Sequence, residues 1–455
     1  MNSLSLSEVA IELEAVHQGE DVRFHSVSTD TRTIQSGDLF VALSGPNFDA
    51  HRFLDQAIEK GAVAAMVSEL QSRDLPQLQV KNTRIGLGRL AATWRDRFEV
   101  PLVAITGSNG KTTVKALLTS ILETRGSVLA TKGNLNNEIG LPLSLLRLQD
   151  ESCAVVEMGA NHAGEIGYLS QIARPDVALI NNAGAAHLEG FGNLAGVAHA
   201  KGEILSGLKP TGIGVLNADD RFFPLWRELC GERQMISFGI SSKADVRSDL
   251  SQARMGWTEQ GFHNHMQVHY QHESFDVQLA LAGRHNLMNA LAAVAAGLAM
   301  GCNTQQIQSG LAGVQAVAGR LCLHHTTRGY RLIDDSYNAN PDSVDAAIEV
   351  LRSATGTRYL VLGDLAELGD DAESLHAAIG ERAKQAGLEH LYTLGELSRQ
   401  AAQNFGDGGE AFTELDQLVD ALHSATRRGD AVLVKGSRSA GMDRVVERLM
   451  SMRRG

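Results

Sequence analysis

Short apolar runs, separated by polar turns that carry glycine, recur along the whole chain, and longer stretches with helical spacing lie between them. In the first 83 residues, Asp38-Leu39-Phe40-Val41-Ala42-Leu43 reads as a strand between the turns Ser36-Gly37 and Ser44-Gly45-Pro46. The pattern then predicts a helix over 51–60 and a strand over 62–67, together a small α/β unit. From 84 onward a helical stretch leads into an apolar run over 101–106. A helix carrying Leu117, Leu118 and Ile121 follows. Further buried-type strands are predicted over 153–157, 176–181 and 214–217, a hairpin over 265–281, and a closing helix over 286–300. Strands that alternate with helices predict a doubly wound, mostly parallel sheet. Beyond residue 320 the same alternation returns. Strands are predicted over 331–335, 358–362, 390–394 and 430–435, with helices over 343–352 and 375–386.

The expected fold class is therefore α/β in three domains. A small α/β domain spans 1–83, a central P-loop domain 84–319, and a Rossmann-like domain 320–455. The length agrees, since 455 residues at roughly 150 per domain give about three. The formal net charge of −12 argues against nonspecific nucleic-acid binding, which needs Lys and Arg to neutralise phosphates. Cys153, Cys230, Cys302 and Cys322 show no C-x-x-C spacing, which argues against a zinc site and fits free thiols in a reducing compartment. The first 14 residues lack a signal-peptide pattern, and the longest apolar run, 290–300, is too short to span a bilayer. The expectation is a cytoplasmic protein without membrane insertion, monomeric by default.

The first chemistry lies in Thr106-Gly107-Ser108-Asn109-Gly110-Lys111-Thr112-Thr113, between an apolar strand and an amphipathic helix. Glycines let backbone N–H groups converge on phosphate oxygens, and the helix N-terminus adds a positive dipole. Lys111 can reach the β- and γ-phosphates of ATP, and Thr112 can hold Mg²⁺. The spacing is shorter than G-x-x-x-x-G-K-[ST], because position 105 is Ile105 rather than glycine.

Glu157 ends a predicted buried strand, where open α/β sheets place ligands, and can coordinate the same ion. His187 follows the next strand and is a candidate metal ligand or acid/base group; the alternative is an ordinary surface or core histidine. Lys201 and Asn289 are unremarkable by themselves. Arg320 falls at a predicted domain boundary, where a guanidinium can clamp phosphate. Two strand ends of the third domain carry polar clusters: Asp334 to Pro341, including Asp335, Tyr337 and Asn338, and Gly363 to Gly369. Lys435-Gly436-Ser437-Arg438 follows the last strand and can form a basic lip for an anionic substrate, or simply a helix-entry turn.

Taken in order, these motifs resemble the Mur ligases, ADP-forming amide ligases of peptidoglycan precursor synthesis. They are TGSNGKTT (106–113), TKGNLNNEIG (131–140), VVEMGANHAGEI (155–166), NNAGAAHLEGFG (181–192), AKGEI (200–204), GRHNLMNALAA (283–293) and AGR (318–320). The short phosphate loop is the form that family uses. DDSYNANPDS (334–343) and LGDLAELGDDAESLH (362–376) are similar to the members that add D-alanyl-D-alanine to UDP-N-acetylmuramoyl-tripeptide. STDTRTIQSGDLFVALSGPNFDAHRF (28–53) is similar to their UDP-substrate domain.

The resemblance implies ATP and Mg²⁺, with Lys111 as the phosphate-binding lysine. It implies Thr112, Glu157, His187 and Lys201 as metal ligands, Lys201 after carbamylation. Asn289, Arg320 and Asp335 become nucleotide contacts beside Gly107, Ser108, Asn109, Gly110 and Thr113. Asp30, Arg32, Asn47, Asn134, Asn137, Tyr337, Asn338, Lys435 and Arg438 become expected substrate contacts, taken from motif position. Two other readings stay open at this stage: a regulatory P-loop ATPase that switches a partner, and an amide ligase acting on folate or another amino acid.

Overall fold

The computed structural model describes residues 3–185, 188–241, 243–258 and 261–452. Three main sheets follow one another along the chain. The first has five strands in the order Val16–Gln18, Gln77–Gln79, Ala64–Val67, Asp38–Val41, Ser26–Ser28, parallel except for the first pair. The strand expected over 38–43 stops at Val41, because Ser44–Gly45 turns back on Phe48–Asp49 as a two-stranded ribbon. The helix expected over 51–60 opens as a 3₁₀ turn, Ala50–Phe53, in which the Asp49 carboxylate accepts from the His51 N–H. The α-helix Leu54–Glu59 continues it.

The central sheet is built around Leu102–Thr106. Every residue of that strand is buried, as a strand covered on both faces requires. Its side chains alternate between two cores. Leu102 and Ala104 pack with Leu87, Leu90 and Trp94 of the helix Thr83–Asp96. Val103 and Ile105 pack with Val114, Leu117, Leu118 and Ile121 of the helix Lys111–Glu123. On one side of this strand lie Cys153–Glu157 and then Val128–Ala130. On the other lie Val177–Ile180, Ile213–Asn217, Gln234–Gly239 and Val246–Arg247, all parallel. An antiparallel tail ends the sheet: Gly261–Tyr270 pairs with Val246–Arg247, Arg254–Thr258 and Glu273–Leu279. The hairpin expected over 265–281 is its last pair. Arg254–Thr258 was not foreseen, because it is an exposed edge strand without an apolar run.

The third sheet runs Cys322–His325, Arg331–Asp335, Ala431–Lys435, Arg358–Gly363, His390–Leu394, Gly409–Phe412, parallel apart from its first pair. Ile333, Leu360, Leu362 and Leu433 face one core, and Leu332, Val361, Val432 and Val434 face the other. The two outer strands carry mixed, half-exposed residues and left no periodic signal in the sequence.

The first and second sheets share one core, in which Leu39, Val41, Met66 and Leu78 join Leu87 and Trp94. The third sheet takes only Phe262 and Ala282 of the second domain into its core, and Trp257 packs beside them. The Trp257 indole N–H donates to Ser353 Oγ at 2.9 Å, and the Arg331 guanidinium lies 5.0 Å above the same ring. Among the described residues no helix is long and apolar enough to cross a membrane.

Candidate active site

Leu102–Thr106 delivers the loop Gly107–Gly110 to the carboxyl edge of the central sheet, where connections leave in opposite directions. Two glycines shape the loop, with φ of +153° at Gly107 and +81° at Gly110. A Cβ on Gly110 would overlap the side-chain amides of Asn289 and Asn181. The Lys111 ammonium folds back over the loop, donating to the Gly107 carbonyl at 2.6 Å and the Ser108 carbonyl at 3.2 Å. Desolvation lowers its pKa, and the Glu157 carboxylate opposes that fall.

Glu157 sits at the end of the neighbouring strand, level with Ile105, and is only 3% exposed. Its carboxylate accepts from Thr112 Oγ1 at 3.0 Å and from Asn136 Nδ2 at 2.8 Å, and Lys115 Nζ stands 3.5 Å away. Lys115 also donates to the Thr131 carbonyl, while the Glu157 N–H donates to Thr131 Oγ1. The loop after Leu102–Thr106 and the loop after Val128–Ala130 are thus tied at one carboxylate.

Lys201, on the helix Leu194–Gly202, is 2% exposed, with its ammonium 5.5 Å above the Phe191 ring. Burial first, and then the like charge of Lys111, bring its pKa down from 10.5 to about 7. A buried amine is disfavoured as a cation.

Across from these groups stand strand ends of the third sheet. Arg320 Nη2 donates to Thr112 Oγ1 at 3.1 Å, and its guanidinium lies 4.4 Å over the Tyr337 ring. Asn340 Nδ2 donates to Asn109 Oδ1 at 2.8 Å. Asp335 accepts from Lys435 Nζ at 2.6 Å; burial pushes its carboxyl up while Lys435 pulls it down. Together these walls enclose a cleft of about 1250 Å³. A glycine-containing loop at a helix N-terminus, a carboxylate, a buried amine and two arginines converge on it.

The frame matches known proteins along its whole length. Residues 23–95 match the model described as "Mur ligase family, catalytic domain", 105–297 the "Mur ligase middle domain", and 319–438 the "Mur ligase, glutamate ligase domain". The UDP-N-acetylmuramoyl-tripeptide--D-alanyl-D-alanine ligase of Escherichia coli strain K12 is 45% identical over 452 residues, covering 99% of both chains. This chain belongs to the Mur ligase family. A crystal structure of MurF from Acinetobacter baumannii superposes with a TM-score of 0.92 at 35% identity, covering 99% of this chain and 100% of that one. The MurF ligase of Thermotoga maritima in complex with ADP gives 0.83 at 30% identity, covering 94% and 97%.

In this Mur ligase the residues singled out by sequence, apart from Gly107, which shapes the loop without lining the cleft, fall into three groups. Ser108 to Thr113, Asn134, Asn137, Glu157, Lys201, Asn289, Arg320, Asp335, Tyr337, Asn338, Lys435 and Arg438 line the cleft together. Asp30, Arg32 and Asn47 do not line it; Asp30 and Arg32 pair at 2.6 Å on the first domain, which holds the Asp30 carboxyl down to about 2. His187 lies outside the described residues.

One expectation changes in detail. Lys435 is not a free basic lip: it is 2% exposed and engaged by Asp335 and by the Asn338 carbonyl, whereas Arg438 is exposed. The alternation of a central strand turns Lys435 inward. In the 131–140 segment Asn136, which the sequence reading did not single out, donates to Glu157, and Asn137 Oδ1 accepts from the Gly140 N–H. Lys115, Asn181, Asn182 and Asp342 also went unread. Lys115 had a usable signal, since it lies one helical turn beyond Lys111.

The donor set fits a hard divalent cation. Among the described residues no three His, Cys, Asp or Glu side chains gather around one point. The Thr112 hydroxyl and Glu157 carboxylate nevertheless present converging oxygens beside the phosphate loop, as suits an ion that completes its shell with phosphate oxygens and water.

Proposed function

We infer that this Mur ligase joins UDP-N-acetylmuramoyl-tripeptide to D-alanyl-D-alanine through an amide bond, converting ATP to ADP and phosphate. One observation carries the reading: a phosphate loop faces the polar strand ends of the third sheet across a single cleft, in a chain that matches such ligases from end to end.

A peptide carboxylate is a poor electrophile because its charge repels an approaching amine. Attack of that carboxylate on the terminal phosphate of ATP forms an acyl phosphate and releases ADP. The amine of the dipeptide then adds to the acyl carbon, and the tetrahedral adduct collapses by expelling phosphate. The loop and helix N–H groups from Gly110 to Thr113 are assigned to the phosphates, the Ser108 and Asn109 N–H groups being engaged by Asn182, and Lys111 spreads the charge that builds up as the terminal group transfers. Thr112 and Glu157 are assigned to hold Mg²⁺, which would supply Lewis-acid stabilisation of phosphoryl oxygens. Lys201 is assigned as a carbamate-forming lysine, a role supported by the burial of its amine, which lowers its pKa to about 7.

Asn289, Arg320 and Asp335 are assigned to the nucleotide, and Tyr337, Asn338 and Arg438 to the dipeptide. Asn134 and Asn137 are assigned to the tripeptide, and Asp30, Arg32 and Asn47 to its UDP group. The domain limits 1–83, 84–319 and 320–455 are proposed on the same basis, with one main sheet in each of the three segments. The expected state is a cytoplasmic monomer that does not bind nucleic acid.

The test is a single assay with purified protein, ATP, Mg²⁺ and both substrates. Phosphate should appear only when tripeptide and dipeptide are both present, and mass spectrometry should find the joined product. ATP turnover indifferent to the dipeptide would overturn the reading in favour of a switch ATPase.

A further inference from the structure

Asn340 and Asp342 belong to none of the roles assigned above, yet both reach across the cleft. Asn340 is the N-cap of the helix Pro341–Arg352. Its Oδ1 accepts from the Ser343 N–H at 2.9 Å, and its own N–H donates to Ser343 Oγ at 2.9 Å. That reciprocal cap fixes which way the amide points. The oxygen is engaged, so the NH₂ faces the phosphate loop and donates to Asn109 Oδ1 at 2.8 Å. Asp342, in the first turn of the same helix, accepts from the Ala185 N–H at 3.2 Å. Only a glycine at 184 allows that approach, because a Cβ there would come within 2.5 Å of the Asp342 carboxylate.

Behind Asn109 the loop is braced by further amides. Its N–H donates to Asn182 Oδ1, and its carbonyl accepts from Asn181 Nδ2 and Asn182 Nδ2. Asn181 Nδ2 also meets Asn289 Oδ1, and Asn289 Nδ2 donates to Asn286 Oδ1. Ser108 is tied to Gly184 in both directions. A movement of the helix Pro341–Arg352 therefore meets a rigid loop. The strand-end turn that precedes the cap carries Tyr337 and Asn338.

We propose that Asn340 and Asp342 form a polar latch that couples closure of the third domain to the phosphate loop, so that dipeptide and nucleotide strengthen each other's binding. The proposal rests on the ligase reading for the identity of the dipeptide. Coupling of this kind is reciprocal: each ligand raises the affinity of the other by the same factor. Asn340 and Asp342 act as positioning residues, since neither needs to touch a reacting atom.

Calorimetry of AMP-PNP binding with and without D-alanyl-D-alanine reads the coupling directly, using the full chain with UDP-tripeptide present. Asn340→Ser keeps a capping hydroxyl but is too short to reach Asn109, and Asp342→Ala removes the second contact. Wild type should bind AMP-PNP more tightly with dipeptide than without. Asn340→Ser should reduce that enhancement by about two- to tenfold, the scale of one exposed-to-buried hydrogen bond. Combining it with Asn109→Ala should give no further loss. An enhancement unchanged in Asn340→Ser, or additive losses in the double variant, overturns the latch.

Failure of the wild type to ligate D-alanyl-D-alanine would instead overturn the substrate reading. The latch is then judged by fluorescence energy transfer between labels on the second and third domains at saturating AMP-PNP. Asn340→Ser should lower the closed fraction there, and an unchanged fraction overturns it.

Discussion

Lys111 and Lys201 are both withdrawn from solvent, and the charge of Lys111 contributes to the low pKa of Lys201. Their tasks differ. Lys111 must remain a cation to meet phosphate, and Glu157 favours that form. Lys111→Ala should lower ligation by on the order of 10²–10³, the usual cost of removing one charge-stabilising donor. Near-normal product formation in that variant would contradict the role.

For Lys201 the sign runs the other way. Its folded pKa of about 7 lies below its ordinary 10.5, so between those values the unfolded chain holds more protons than the folded one. Stability from this group therefore rises with pH across that window, and below pH 7 the full cost of a buried cation is present. Lys201→Met should gain most over wild type near pH 6 and lose that advantage toward pH 10, a swing of a few kcal/mol. Denaturant melts at both pH values check it. A constant difference would place the amine outside its buried setting.

At this scale the sequence was most legible where a side chain ends a regular strand. Glu157 and the 106–113 loop follow buried apolar runs, so their place at the sheet edge could be read in advance. Asn136 could not be separated from Asn134 and Asn137, because an irregular loop has no period to fix which side chain points inward.

Elements were legible in proportion to their burial. The strands Cys153–Glu157, Arg331–Asp335 and His390–Leu394 fall where the apolar runs predict them. Edge strands escaped because one flank faces water and tolerates any residue. The polar cluster at 363–369 was visible, but its use was not. Asp364 accepts from the Glu396 and Ser398 N–H groups, while its carbonyl accepts from Ser437. Three strand ends are tied there.

The same loop is fixed from behind by His376, which is fully buried on the helix Ala372–Gln385. Its Nδ1 donates to the Ala372 carbonyl at 2.7 Å, which leaves Nε2 to accept from the Leu365 N–H at 3.0 Å. His376→Ala would strand that N–H. It should cost about 1–3 kcal/mol of stability and raise KM for the dipeptide more than KM for ATP. Chemical denaturation with steady-state kinetics separates the two effects. Equal rises in both KM values would count against a loop-specific role.

For the whole molecule, the three-domain division was readable from the alternation of periods, but the way the domains share cores was not. Long-range packing leaves no local signature. The first sheet contributes Leu39, Val41, Met66 and Leu78 to a core completed by Leu87 and Trp94, which lie beyond residue 83. One core of the third sheet, built on Leu332, Val361, Val432 and Val434, lies wholly within 330–452, and the other takes in only Phe262 and Ala282 from outside that segment. A fragment of residues 1–83 should therefore fail to fold alone, while 320–455 should show a cooperative melt. Circular dichroism of the two fragments tests this, and a cooperative melt of 1–83 would show that the shared core is dispensable.

The third domain meets the second at two separated places. One lies in the cleft, through Asn340 and Arg320. The other is Trp257, which is not a cleft-lining residue and is held by Ser353 and Arg331, beside Phe262 and Ala282, which join the third domain's core. A body fastened at two points opens by releasing one and swinging about the other. The indole is then a pivot, and it restricts the swing to one arc. Loss of that pivot would let the third domain wander and return off-line. The penalty would fall on the waiting time between turnovers, with the bond-making step itself left as it was.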